Sequence, residues 1–201
     1  MIDIHPLFSN PVMVSTPNGA IRPFTNVIDY CKTLKYNLNL GQNWASDNTD
    51  VLSLPIFTEI QELIENAIGY YTSRVMMWDS NKFYITQSWV NVTPPGTEHH
   101  PHYHSNSILS GTFYLQTLND DHIVFRTDHK PLLSFQRSSY NIWNSDSWKL
   151  QVSDNAIVIF PSHMFHSVEQ NTANIERVSI AFNVFVQGDL GVKENLTYLK
   201  L

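Results

Sequence analysis

Hydrophobic and polar positions along the chain change rhythm near residue 80. Before that point Ile60, Leu63, Ile64, Ala67, Ile68 and Tyr71 recur three or four residues apart and draw one apolar stripe along a helix. Ser53 is the expected N-cap of that helix, and a shorter one is predicted from Thr25 through Val27, Ile28 and Cys31, ending near Leu34. Beyond the change the apolar runs are short, rich in β-branched and aromatic residues, and broken by Pro, Gly, Asn and Asp. Strands are predicted over Phe83–Val92, Ile108–Leu118, His122–Phe125, Trp148–Val152, Ala156–Phe160 and Arg177–Val186. Several strands with little helix between them predict a mainly β sandwich or jelly-roll barrel, not a parallel α/β sheet. The helices must bury their stripe and are expected along the outside of one sheet.

Composition narrows the classes. The length of 201 residues fits a single domain spanning 1–201, with a helical part over about 20–75 and a β core over about 83–187. Apolar residues make up 42% and charged ones 15%, a folded rather than a disordered balance. A net charge of −6 with no run of Lys or Arg argues against nucleic acid or an anionic membrane as partner. No stretch approaches the roughly 20 apolar residues of a membrane span. The opening MIDIHPLFSN lacks the pattern of a secretory signal, and Cys31 stands alone, so a cytoplasmic protein without an intrachain disulfide is expected.

The nine histidines are the chemical signal, because most fall in two short clusters: His99, His100, His102 and His104, then His163 and His166. In an extended segment His102 and His104 share a face while Tyr103 turns away, so two imidazoles can reach one point. His166 is the candidate third ligand, following the strand-like AIVIFPSHMF. Three imidazoles suit Fe, Zn, Cu or Ni. Taken alone, an H-x-H pair is also what a Pro-rich surface loop carries, and registers using His100 or Glu98 stay open. Downstream, a polar turn (EQNTAN) places His166 and Arg177 on adjacent antiparallel strands, with Ser179 on the face of Arg177. A guanidinium inside a barrel requires an anion. A dicarboxylate meets that need, one end on the metal and the other on the guanidinium fork; a structural pair with Glu176 or another acid at the sheet edge is the alternative.

These residues resemble a known superfamily. His-x-His, a later histidine, ten residues and then Arg-x-Ser is similar to the 2-oxoglutarate/Fe(II) oxygenase pattern of His-x-Asp/Glu, a distal His and Arg-x-Ser. More closely, WVNV at Trp89–Val92, HYHSNSILSGTFYL at His102–Leu115, IVIFPSHMFHSVEQN at Ile157–Asn171 and ERVSIAFN at Glu176–Asn183 resemble the small 2OG-Fe(II) oxygenases of bacteria and phages, which include prolyl-hydroxylase-like proteins. The resemblance implies a double-stranded β-helix, Fe(II), and 2-oxoglutarate and O2 as co-substrates. It places His102, His104 and His166 on the metal and Arg177, Ser179 and Tyr114 on 2-oxoglutarate, the last matching a tyrosine that binds its carboxylate in related prolyl hydroxylases. His104 occupies the slot that usually holds a carboxylate, which leaves the metal its full double charge. Asn91 either lines the pocket or satisfies backbone groups.

The function expected is a dioxygenase, a hydroxylase of an unidentified protein or small-molecule substrate, with a homodimer left open. Substrate contacts are expected from the Pro94–Glu98 turn and from Asp128–Trp148, which carries Arg137, Tyr140 and Trp143, as a lid. The alternatives are a three-histidine cupin that does not use 2-oxoglutarate and a jelly-roll binding module without turnover.

Overall fold

Pro55 decides where the long helix begins. The residue before a proline is driven out of the helical region, and Leu54 is extended, with ψ 138°. Two short 3-10 turns, Val51–Ser53 and Pro55–Phe57, therefore precede helix α2 (Thr58–Tyr70), α1 being Thr25–Cys31. Ser53 is thus not the N-cap its spacing suggested; its hydroxyl donates instead to the Asp50 carbonyl at 2.8 Å. In this computed structural model the described residues are 1–16, 24–78, 81–127, 132–133 and 135–201.

The strands form two facing sheets. The larger holds β1 (Met13–Ser15), β2 (Tyr36–Leu38), β3 (Trp44–Ser46), β4 (Lys82–Thr93), β6 (Leu109–Gln116), β9 (Ile157–Pro161) and β11 (Arg177–Gln187). The smaller holds β5 (His99–His102), β7 (His122–Arg126), β8 (Ser147–Gln151) and β10 (Phe165–Val168). Their orders are β1-β9-β6-β11-β4-β3-β2 and β5-β10-β7-β8, all antiparallel. A hairpin of β12 (Asp189–Leu190) and β13 (Leu199–Lys200) follows.

Strand alternation sorts side chains into two cores. Val178, Ile180, Phe182 and Val184 of β11 point outward and pack with Ile60, Ile64, Ala67 and Ile68 of α2. Removing each of the larger of these side chains from water is worth about 1.5–3 kcal/mol, which is why the helical stripe settles on this sheet. Between the sheets, Tyr114, Ile123, Phe125, Val158 and Phe160 form a second cluster. The residues alternating with the outer set on β11, Arg177, Ser179, Ala181 and Asn183, face this interior and are also buried.

Candidate metal centre

The three histidines arrive from different backbone settings. His102 ends β5 and His166 lies in β10, and the two residues are direct cross-strand partners. His104 lies beyond the strand; its amide donates to the Ser162 carbonyl at 3.0 Å. The Ser162 hydroxyl is itself held, donating to Ser107 at 2.9 Å and hydrogen-bonded to Ser110 at 2.8 Å. One ring nitrogen from each histidine lies within 4.8 Å of the others. Ring centroids are 4.4 Å apart for His102 and His166, 5.0 Å for His102 and His104, and 5.2 Å for His104 and His166. Neither His100 nor Glu98 joins this group.

The backbone sets the tautomer of two rings. His102 Nδ1–H donates to the His100 carbonyl at 2.8 Å, and His166 Nδ1–H to the Met164 carbonyl at 2.9 Å. A carbonyl can only accept, so each Nδ1 holds the proton and each Nε2 keeps its lone pair for a metal. Burial lowers the basicity of all three rings, to about 3 for His166 and about 4 for His104. Proximity of the neighbouring imidazoles pushes His104 and His166 further the same way. They are neutral near pH 7, the form in which imidazole binds a cation. A neutral, nitrogen-only donor set fits iron as well as the other metals that favour imidazole.

The wall opposite comes from the larger sheet. Asn91, Ser179 and Tyr114 form one row across β4, β11 and β6, and Thr93 pairs with Arg177 in the next. All five line the cavity that also contains the three clustered histidines, with Trp89, Ile123 and Phe160 completing an apolar wall. The Phe160 ring meets His166 edge-on, with centroids 4.6 Å apart. Burial raises the Tyr114 hydroxyl far above its ordinary value, so it is a donor at any physiological pH. The cavity is narrow, about 30 Å³, with room for roughly two waters. His99, which stacks on His102 with centroids 4.4 Å apart, also lines the cavity.

Two expectations about Arg177 need correction. It does not lie on a strand adjacent to that of His166: β10 belongs to the smaller sheet and β11 to the larger. The connection between them crosses from one sheet to the other. Asn171 anchors that crossing, its side-chain amide donating to the Thr93 and Ile175 carbonyls at 2.8 Å each. The same residue accepts from the Gly96 amide and donates to the Thr97 carbonyl, which ties the Pro94–Glu98 turn to the crossing.

Nor is the guanidinium fork free. Arg177 Nε donates to Asp121 Oδ2 at 2.6 Å, and Nη2 donates to Asp121 Oδ1, with the two side chains 6% and 0% exposed. The anion that a buried arginine requires is thus already supplied in part by the protein, by neither Glu176 nor an exposed edge acid. The remaining nitrogen, Nη1, is buried and has no partner among the described residues, and the same holds for Asn91 Oδ1. An orphaned donor in the wall of the metal cavity is what a bound carboxylate would satisfy. Asp121 escapes sequence reasoning because the turn Asn119-Asp120-Asp121 offers two adjacent acids, and nothing in their spacing selects the buried one.

Of the segment expected as a lid, residues 128–131 and 134 lie outside the described residues, as does His129. In the described part Arg137 pairs with Asp146 at 3.6 Å and lies over the Tyr140 ring, while Tyr140, Ile142 and Trp143 are exposed. Among the described residues, no helix is long and apolar enough to cross a membrane.

Comparison with known proteins agrees with this geometry. Residues 87–183 match the family described as "Putative 2OG-Fe(II) oxygenase". No curated protein matches the sequence. Among solved structures, a Pseudomonas putida prolyl-4-hydroxylase superposes with a TM-score of 0.60 at 11% identity, covering 87% of this chain and 93% of that one. HygX from Streptomyces hygroscopicus, bound to nickel, 2-oxoglutarate and hygromycin B, gives 0.59 at 10% identity, covering 87% and 82%. The epimerase SnoN, in complex with Fe3+, alpha ketoglutarate and nogalamycin RO, gives 0.63 at 8% identity, covering 88% and 79%. At such identities the likeness is one of fold, the double-stranded β-helix barrel. Residues 87–183, the stretch that matches the 2OG-Fe(II) oxygenase family, carry the three clustered histidines, Tyr114 and Arg177.

Proposed function

We propose that the chain is a hydroxylase that couples oxidative decarboxylation of 2-oxoglutarate to oxidation of a C–H bond in a protein side chain or small molecule. The observation that carries this reading is a cavity lined both by three neutral imidazoles and by Arg177, whose buried Nη1 has no partner among the described residues. His102, His104 and His166 would hold the iron, the first and last through Nε2. Iron with 2-oxoglutarate and O2 supplies the oxidising power. The protein's own part is positioning and exclusion of water. Arg177 Nη1 would receive the far carboxylate of the diacid, and the Tyr114 and Ser179 hydroxyls are the neighbouring donors in the same row. Trp89, Ile123 and Phe160 keep bulk water from the metal face.

The metal and co-substrate follow from the family; hydroxylation as the outcome is the finer claim, since the relatives of similar fold include a hydroxylase, an epimerase and a carbocyclase. The test is succinate release after anaerobic Fe(II) loading, 2-oxoglutarate and admission of O2, with mass spectrometry of candidate peptides and small molecules for a gain of one oxygen. Succinate formed with a +16 product supports hydroxylation; succinate formed with only isomerised or cyclised product refutes it. The reading without 2-oxoglutarate draws on the Arg177–Asp121 pair and predicts O2 uptake indifferent to the diacid.

A further inference from the structure

Asp121 is a buried carboxylate that the reading above does not use. Its environment is complete without any ligand. Besides the two bonds from Arg177, its oxygens accept the Leu118 amide at 3.1 Å and the His122 amide at 2.8 Å. It sits immediately before β7 of the smaller sheet and reaches Arg177 in the larger one. Four donors fix the carboxylate, and the carboxylate fixes the plane of the guanidinium. Nε and Nη2 are spoken for, so the unpartnered Nη1 is the donor left over.

Charge makes the arrangement more than a structural tie. Three imidazoles neutralise none of the double charge of Fe(II). A dicarboxylate such as 2-oxoglutarate cancels it, which leaves the guanidinium of Arg177 in excess. Asp121 removes that excess. With Asp121 the loaded cavity is neutral; without it, one uncompensated positive charge is buried in a dry site. A metal set containing a carboxylate would need no such acid, because the ligand itself would supply the negative charge.

We propose that Asp121 is the charge-balancing residue of the co-substrate site: it pairs with Nε and Nη2 of Arg177, which leaves Nη1 for the far carboxylate of the diacid, and it carries the negative charge that the three-histidine metal set lacks. The proposal rests on the 2-oxoglutarate reading given above. It explains why an arginine meant for a ligand is also paired with an acid of the protein. The acid lowers the pull on the diacid, which favours exchange of co-substrate for the equally dianionic succinate.

The test is calorimetric titration of the Ni(II)-loaded protein, which is redox-inert, with 2-oxoglutarate. Asp121→Asn removes the charge while keeping an acceptor for one of the two backbone amides. It should melt at lower temperature yet bind 2-oxoglutarate at least about tenfold more tightly. A purely structural role moves both quantities downward together. His104→Asp should weaken binding by a similar factor, and the double variant should return to within about threefold of wild type. 2-Oxobutyrate, which lacks the far carboxylate, should gain far less than 2-oxoglutarate from Asp121→Asn. Affinity unchanged or weakened in Asp121→Asn, or an equal gain for 2-oxobutyrate, overturns the proposal. If Asp121→Asn is too unstable to titrate, Asp121→Ala in formate buffer replaces the missing carboxylate. Its 2-oxoglutarate affinity must then fall as formate rises, and independence of formate overturns the proposal. Wild-type protein that binds Ni(II) but no 2-oxoglutarate would instead refute the functional reading on which this inference stands.

Discussion

Consider Arg177→Met in the metal-free protein. The substitution keeps most of the side-chain volume but strands Asp121, whose carboxylate is 0% exposed and loses two of its four hydrogen bonds together with its counter-charge. Breaking a buried pair by removing one partner costs about 3–5 kcal/mol, because the other charge stays desolvated. For a chain of 201 residues that corresponds to a fall in Tm on the order of 6–20 °C. Adding Asp121→Asn removes the stranded charge, so the double variant should recover about 1–3 kcal/mol relative to Arg177→Met alone. The assay is urea unfolding followed by circular dichroism at pH 7.5, repeated at high salt. Screening reaches surface pairs but not this one, so salt should leave the difference in place. A loss below about 1 kcal/mol, or a double variant as unstable as the sum of the singles, would falsify the buried-charge argument. Metal uptake should survive in every variant, because all three imidazoles are held by other segments.

Other predictions address the metal face and the sheet behind it. His166→Ala should abolish stoichiometric Fe(II) or Ni(II) binding, measured by metal analysis after gel filtration, while the far-ultraviolet dichroism stays that of the wild type; retained one-to-one metal would remove His166 from the ligand set. Without metal, stability should fall on acidification. The ordinary imidazole value is 6.5, and burial lowers His104 to about 4 and His166 to about 3. The unfolded chain therefore takes up protons below pH 6.5 that the folded chain refuses. The contribution is full above pH 6.5, shrinks as pH falls towards 3–4 and is gone below; a urea midpoint equal at pH 7.5 and pH 5 would contradict it. Gly111→Ala should cost about 1–3 kcal/mol, since a Cβ there would meet the Phe182 ring and stand 2.6 Å from the Val158 carbonyl oxygen, which is held in the sheet. Thermal melting checks this, and an unchanged Tm would mean that the sheet yields.

The long elements were legible because their patterns repeat. Six of the strands were predictable from β-branched and aromatic runs, and β11 also showed which residues face the helices and which the cavity. The α2 stripe was readable too, but its start was not, because Pro55 outweighs a favourable cap at Ser53. Short strands went unseen. β5 is HHPH and β10 is FHSV, four residues each with no apolar alternation, and they exist because each pairs with a neighbour in the sheet. A polar turn signals a change of direction, not which sheet the chain rejoins, so Arg177 does not return beside the strand of His166 as its spacing suggests. His102, His104 and His166 could be grouped by spacing because imidazoles are scarce; Asp121 could not, since acids at turns are common.

The two backbone locks on the histidines carry a consequence for metal choice. His102 and His166 are each pinned by the carbonyl two residues earlier, on strands that face each other directly. Two of the three jaws are therefore set while the protein is still metal-free, and an arriving ion neither rotates those rings nor selects between tautomers. With a metal held by the three rings as proposed, discrimination among iron, nickel and zinc would fall to the third jaw, the loop-borne His104, whose seat depends on the Ser162 carbonyl and the hydroxyl chain behind it. Selection for a different ion would thus act on the loop and its serines before it touched the pair of strands.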